Sequence, residues 1–266
     1  DLHRLIRRQR QMCIRDRFNT LITVDRSSLP EAHERLHASL AADGIHLDRE
    51  AFLKDYRTQA VRFFEEARRT GVETHNRFWI REALRSHGWD LDPEDRRIAR
   101  AVDRYFSAFI DSFQVIPGAL DMLRTVGNVY RIGLLSNFTH GPAARTLIEK
   151  AGFASLFRAI LISGEMGYRK PHPLVFHELS RKLGSESEET CFLGDDLEAD
   201  VRGAARAGLK ALWAVYVQER PIPYTPAADV SKISAQSIPD IPRINSWDDL
   251  YFLLGLDGPS RRGGGR

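Results

Sequence analysis

Two textures divide the chain. Between residues 29 and 115 apolar side chains recur at spacings of three and four in "LPEAHERLHASLAADG", "REAFLKDYRTQAVRFFEEARRTG", "THNRFWIREALRSHG" and "DPEDRRIARAVDRYFSAFIDSF". That is the period of amphipathic helices. Pro30 and Pro93 stand where first-turn prolines belong, and Gly44, Gly71 and Gly88 where helices stop, which predicts a helical subdomain over residues 29–115.

Beyond Pro117 the pattern changes to short β-rich apolar runs, "VYRIGLLSN", "FRAILISGE", "ETCFLGDD" and "GLKALWAVYV". Helical segments separate them: "GPAARTLIEKAGF", "PHPLVFHELSRKLG" and "LEADVRGAARAG". This alternation predicts an α/β class fold, a parallel sheet with crossover helices. The segment "RINSWDDLYFLLG" adds a strand and a helix after the irregular, proline-spaced "QERPIPYTPAADV". The glycine-arginine end, residues 255–266, reads as a disordered tail. The division is thus a core of residues 16–28 and 116–254 with the helical unit inserted between its halves.

Composition removes several function classes. At 266 residues and 42% hydrophobic content the chain can bury a sizeable core. No apolar run approaches the roughly 20 residues of a membrane helix, and the arginine-rich start lacks the apolar segment of a secretory signal. Those absences point to the cytoplasm and to no membrane partner. Cys13 and Cys191 form no zinc or disulfide pattern and read as reduced thiols, Cys191 packed inside "TCFLG". Taking the +4 of residues 1–17 and the +3 of "RRGGGR" from the formal +3 leaves −4 on the folded body, which excludes a nucleic-acid footprint there. Monomer and homodimer remain open.

In an open parallel sheet, ligands bind beyond the carboxyl ends of the strands. The first polar residues after each run are therefore the informative ones. Ser136 and Asn137 follow "RIGLL", Arg169 and Lys170 lie in the loop after "AILIS", and Asp195 and Asp196 follow "CFLG", with Asp200 a turn later. A hydroxyl with an amide, a cation and a carboxylate cluster suit a bound phosphate with a divalent cation. The remaining strand end, "MCIRDRFNTL", offers Asp16 as nucleophile.

These motifs, in the order "DRFNT", "LLSN", "YRKPHP" and "LGDDLEAD", resemble those of the haloacid dehalogenase-like (HAD) hydrolases. "IPGALDML" and "VRGAARAG" are similar too, and the helical insertion looks like the family's C1 cap. The likeness covers about residues 16 to 217 and is more specific in the last three motifs than in the first. It implies a Rossmann-like core flanked by helices, with Asp16 forming a covalent aspartyl intermediate. Ser136 and Lys170 would hold the transferring group, with Thr20 and Asn137 at the same substrate site. Asp16, Asp195 and Asp196, supported by Asp200, would hold Mg²⁺. The substrate would be a small phosphorylated molecule, and the cap would close over it.

Two departures mark the first motif. Family phosphatases carry a second aspartate two residues after the nucleophile as general acid and base, and Phe18 stands there. Phenylalanine moves no proton, a function worth roughly 10² to 10⁴ in rate. Family dehalogenases resemble this chain at that position, because halide leaves unprotonated, whereas "GDDLEAD" resembles the metal-binding form of the fourth motif. Three readings follow: an Mg²⁺-dependent phosphoric monoester hydrolase, which the carboxylates favour, a 2-haloacid dehalogenase, and an inactive binding protein of the same fold. The second departure is that "RRQRQMCIRD" offers only Met12, Cys13 and Ile14 to a buried strand, and "QMCIRDR" resembles translated sequencing-adaptor sequence. Residues 1–17 are accordingly read as a non-native segment joined to "FNTL".

Plainer roles compete for single residues. Ser136, Asn137 or Asp196 could cap the helices that follow them, and Phe18 could pack beside Leu21. Arg131 and Arg169 read as solvated. "HERLH", residues 33–37, matches a zinc-protease pattern with Glu34 as base, but it lies beside the apolar stripe Leu29, Ala32, Leu36 and Leu40 with no clear third ligand. His172 and His177 are five apart and share no helix face.

Overall fold

The computed structural model describes residues 11–15, the latter as backbone, together with 20–216 and 241–258. Six parallel strands form the main sheet: β1 (Gln11–Arg15), β4 (Arg131–Ser136), β5 (Ala159–Ile162), β6 (Thr190–Gly194), β7 (Lys210–Ala214) and β8 (Arg243–Ile244), in the order β5-β4-β1-β6-β7-β8. The buried strands β4 and β6 read as unbroken apolar runs, as both faces of a parallel sheet are covered. β1 is central. Its residues 11–15 pair with β4, Met12 opposite Ile132, and residues 11–14 pair with β6, Met12 opposite Cys191.

A second, two-stranded ribbon joins β2 (Ile22–Val24) to β3 (Phe113–Val115) antiparallel, with Ile22 opposite Val115. The chain leaves the core through β2 and returns through β3, so this ribbon is the stem of the helical insertion. The insertion holds α1 (Ser28–Ala42), α2 (Arg49–Thr70), α3 (Asn76–Arg85) and α4 (Arg96–Ser112). In α4, Ile98, Ala101, Val102, Tyr105, Phe106 and Ala108 make one buried stripe. Leu36 and Leu40 of α1 and Phe52 and Tyr56 of α2 are buried in the same core.

The helix starts follow local chemistry. Asp48 accepts from Ala51 N, and Asp95 accepts from Arg97 N. Pro30 sits in the first turn of α1, whereas Pro93 lies in the turn ahead of α4, where Asp95 takes the capping position. Gly71 ends α2 at φ 73°, and a Cβ there would come within 2.7 Å of the His172 ring, so glycine is required by backbone and space alike.

On the core side, α5 (Ala119–Gly127), α6 (Gly141–Lys150), the one-turn α7 (Ser163–Met166), α8 (Pro173–Leu183) and α10 (Trp247–Leu254) flank the sheet. The helix expected over "LEADVRGAARAG" is divided. A wide turn at Leu197–Arg202 precedes the short α9 (Gly203–Arg206), because Asp196 O accepts from both Asp200 N and Val201 N.

The zinc pattern dissolves into helix packing. His33 lies edge-on to Tyr56 at 5.7 Å, His37 Nε2 meets Leu47 O at 3.1 Å, and Glu34 pairs with Arg49. Burial lowers the His33 pKa to about 4. Cys191 is a buried free thiol, raised by burial to about 12. Among the described residues no helix is long and apolar enough to cross a membrane.

Candidate active site

β1 lies between β4 and β6, and the three parallel strands end at the same edge of the sheet. Asp16, Phe18 and Asn19 follow β1 in sequence but lie outside the described residues. The residues at the carboxyl ends of β4 and β6, and Thr20, are described. Thr20 is fully buried; its Oγ1 donates to Asp195 Oδ1 at 2.9 Å, and its carbonyl accepts from Tyr216 OH at 2.6 Å. Asp195 O also accepts from Trp213 Nε1 at 3.1 Å, which ties the end of β6 to β7.

Lys170 is 1% exposed. Its ammonium donates to Leu135 O at 2.9 Å, stands 3.4 Å from Asp200 Oδ1 and lies 5.7 Å from the Phe192 ring. A buried ammonium is sustained only by such compensation. Asp200 is itself fully buried, and its Oδ2 accepts from Asp196 N at 2.7 Å. It therefore faces the lysine and the loop backbone, a support for the cation of the site.

Asn137 and Asp196 separate the capping readings. Asn137 holds the backbone of residue 170: its Nδ2 donates to Lys170 O at 3.0 Å and its Oδ1 accepts from Lys170 N at 2.8 Å. Its neighbour Ser136 is fully buried at the end of β4. Helix α6 instead starts at His140 with no side-chain cap. Asp196 does cap: Oδ1 accepts from Glu198 N at 2.9 Å and from Ala199 N at 2.7 Å. Among the described residues no three carboxylate, histidine or cysteine groups come together as a metal site.

The insertion docks directly on this edge. Residues 71–73 run antiparallel to 167–169, with Arg169 N donating to Gly71 O and Glu73 N to Gly167 O, each at 2.9 Å. Arg169, expected in solvent, is buried: Nη1 donates to Glu73 Oε1 at 3.2 Å and the guanidinium lies 4.6 Å over the Phe64 ring. Sequence gives no sign of this, because the partner is 96 residues away. Glu73 Oε2 also accepts from Ser163 Oγ at 2.5 Å, and that hydroxyl receives Phe138 N at 2.8 Å. The β4 and β5 loops meet closely here, since a Cβ on Gly164 would fall 2.2 Å from Thr139 O.

A second bridge links His75 Nε2 to His140 Nδ1 at 3.1 Å, and His140 Nε2 to Asp103 Oδ1 at 3.2 Å. Burial lowers both histidines, His75 to about 4. Beside these bridges a cavity of about 160 Å³ opens between the insertion and the loop after β4, with Asn76, Trp79 and Phe106 on one side and Asn137, Thr139 and Arg169 on the other. None of Glu73, Asn76 and Trp79 stands out in sequence, because Glu73 lies in a short connection and Asn76 and Trp79 in an amphipathic helix that reads as packing.

This strand-end geometry has known counterparts. The sequence model of the haloacid dehalogenase-like hydrolases matches residues 11–208. The chain belongs to that family. A glyceraldehyde 3-phosphate phosphatase of Methanopyrus kandleri is 34% identical over 121 residues, 44% of this chain and 51% of the relative. The chain thus spans about half the length of that relative. A ribulose-1,5-bisphosphate 5-phosphatase of Halopiger xanaduensis is 32% identical over 174 residues, 64% of this chain and 70% of the relative. Among solved structures, the 2-haloacid dehalogenase of Pseudomonas syringae aligns over 92% of this chain and 98% of its own, at 20% identity and TM-score 0.68. YfnB of Bacillus subtilis, solved bound to magnesium, aligns over 94% of this chain and 100% of its own, at 19% identity and TM-score 0.61. The HAD fold, a Rossmann-like sheet with an inserted helical cap, is shared across these hydrolases.

Proposed function

We propose that this HAD hydrolase cleaves phosphoric monoesters of small metabolites in the cytoplasm, with Asp16 as nucleophile. The observation that carries the reading is the buried Lys170, held by Leu135 O, Asp200 and the Asn137 clamp at the strand edge that Asp16 directly follows. A cation placed there neutralises phosphoryl oxygens in a site from which water is excluded. Ser136 and Thr20 belong to the same edge and fit the binding of those oxygens. The phosphatases among the sequence relatives support the same chemistry.

In this reading an Asp16 carboxylate oxygen attacks phosphorus and the ester P–O bond breaks. The leaving oxygen takes a proton from water, because Phe18 has none to give. A second water then attacks phosphorus, releasing phosphate and regenerating the carboxylate. The oxygen donors of Asp195 and Asp196 fit a hard divalent cation once Asp16 completes the set, and Asp200 secures the loop that carries them. When bound, Mg²⁺ would offset the negative charge that gathers on the phosphoryl group.

Phe18 favours a second reading, release of halide from a 2-haloacid, in which the leaving group needs no proton. Phosphate release that requires Mg²⁺ and is lost in Asp16→Asn supports the first reading. Halide release that persists in a chelator would establish the second.

A further inference from the structure

The cavity between the insertion and the β4 loop contains polar groups that the protein does not use. Asn76 is 0% exposed, yet neither its Nδ2 nor its Oδ1 has a hydrogen-bond partner. The buried Tyr56 hydroxyl is its polar neighbour on the side of α2. Trp79 Nε1 and Arg169 Nε are likewise buried and unpartnered. All three residues line the cavity. Leaving several polar atoms dry in one small space is costly, roughly 1–3 kcal/mol for each such group, unless a ligand supplies their partners.

The charge of this space is balanced. Arg169 is the cation on its wall, and Glu73, its ion-pair partner at 3.2 Å, is the anion. Both oxygens of Glu73 are occupied, by Arg169, Thr74 N and Ser163 Oγ. What remains is a set of neutral-type contacts: N–H donors from Arg169, Trp79 and Asn76, and one carbonyl acceptor from Asn76. Aromatic rings of Phe64, Tyr105, Phe106, Phe109 and Phe138 make most of the rest of the wall. A cavity of about 150 Å³ holds a benzene-sized group, so the volume of about 160 Å³ here admits about six non-hydrogen atoms.

We propose that this cavity receives the leaving group of the phosphate ester, and that Asn76, Trp79 and Arg169 select a small uncharged polyol or hydroxycarbonyl over charged or zwitterionic groups. Asn137 and Thr139 border the cavity and continue directly from Ser136, so a leaving group lying in it would keep its ester oxygen at the strand edge. Hydroxyl and carbonyl oxygens would accept from the three N–H groups, and a hydroxyl would donate to Asn76 Oδ1. An ammonium would find both Glu73 oxygens already taken, and a second phosphate would meet Arg169, the cation among the described lining residues, already paired. The inference deepens the phosphatase reading and rests on it.

Calorimetric titration of the full chain with Mg²⁺, carrying Asp16→Asn so that the esters are not turned over, tests it with glycerol phosphate, phosphoserine and inorganic phosphate as probes. Glycerol phosphate should bind more tightly than phosphoserine. Asn76→Leu and the milder Trp79→Phe should each weaken glycerol phosphate about tenfold, the upper range for one net hydrogen bond, with inorganic phosphate changed less than about twofold. Thermal melting of both variants separates this from unfolding, and Trp79→Phe, which removes the N–H and keeps an aromatic ring, decides the matter if Asn76→Leu does not fold. Phosphoserine binding as tightly as glycerol phosphate, or variants that weaken all ligands alike, would overturn the cavity assignment alone. No binding of inorganic phosphate by the wild-type chain would instead overturn the phosphatase reading beneath it.

Discussion

Lys170→Met removes the charge of the site and keeps most of its volume. Two buried groups then lose their contact with the ammonium, Leu135 O at 2.9 Å and Asp200 Oδ1 at 3.4 Å. Removing one member of a buried ion pair costs about 3–5 kcal/mol, because the other charge is left uncompensated. Asp200 Oδ2 keeps its bond from Asp196 N, which places the expected loss near about 3 kcal/mol. Lys170→Met/Asp200→Asn removes both charges of this pair and should regain most of that loss. Urea unfolding of wild type, both single variants and the double variant gives the coupling, expected at about 1.5 kcal/mol or more. Phosphatase activity should stay absent in the double variant. Single-variant losses that add to within about 0.5 kcal/mol would refute the buried pair as the feature that holds this edge.

Asn137→Ala deletes two hydrogen bonds to the Lys170 backbone, so stability should fall by about 1–3 kcal/mol and kcat should fall more than KM rises, as steady-state kinetics would show. Arg169→Met leaves Glu73, whose side chain is 2% exposed, without its cation, and urea midpoints should report a loss of about 3–5 kcal/mol. Phe18→Asp should raise phosphate ester turnover by roughly 10² to 10⁴, and an unchanged rate would remove leaving-group protonation as the limit. For pH, the folded-state values of His33 and His75 lie near 4, below the ordinary 6.5. The unfolded chain therefore binds protons first, and stability should decline as pH falls from about 6.5 towards 4 and level off below that. Asp95, lowered to about 2 mainly by the Arg97 hydrogen bond, contributes a separate loss only below about pH 4. His75→Gln should make the first window shallower in pH-dependent melts, leaving the part due to His33, and leave the second unchanged.

The helices and strands were legible because each carries one strong period. The three- and four-spaced stripe of α4 and the apolar runs "IGLL" of β4 and "CFLG" of β6 are buried as their patterns require. Lys170, Asn137 and Asp195 could be singled out because they stand in the polar loops that follow such runs. Their partners were not legible. Whether Asn137 caps a helix or holds Lys170 depends on a contact 33 residues away, and Arg169 finds Glu73 only after the insertion folds back. Asp196 took the local capping role that any aspartate before a helical run can take. The weak strand signal of "QMCIR" has a different cause: pairing on both edges with β4 and β6 supplies order that three apolar residues would not. We propose that genomic sequence upstream of the "FNTL" codons encodes a more apolar strand ending in aspartate.

The central claim concerns which atom water attacks in the second step, and heavy-oxygen water reads it directly. The chain is turned over with Mg²⁺ and a small phosphate monoester in water enriched in heavy oxygen, then the phosphate and the peptide containing Asp16 are weighed by mass spectrometry. Attack on phosphorus predicts heavy oxygen in the released phosphate and none in Asp16. Heavy oxygen in the Asp16 carboxylate, obtained with a 2-haloacid and not with a phosphate ester, would contradict the account and establish ester hydrolysis at carbon instead.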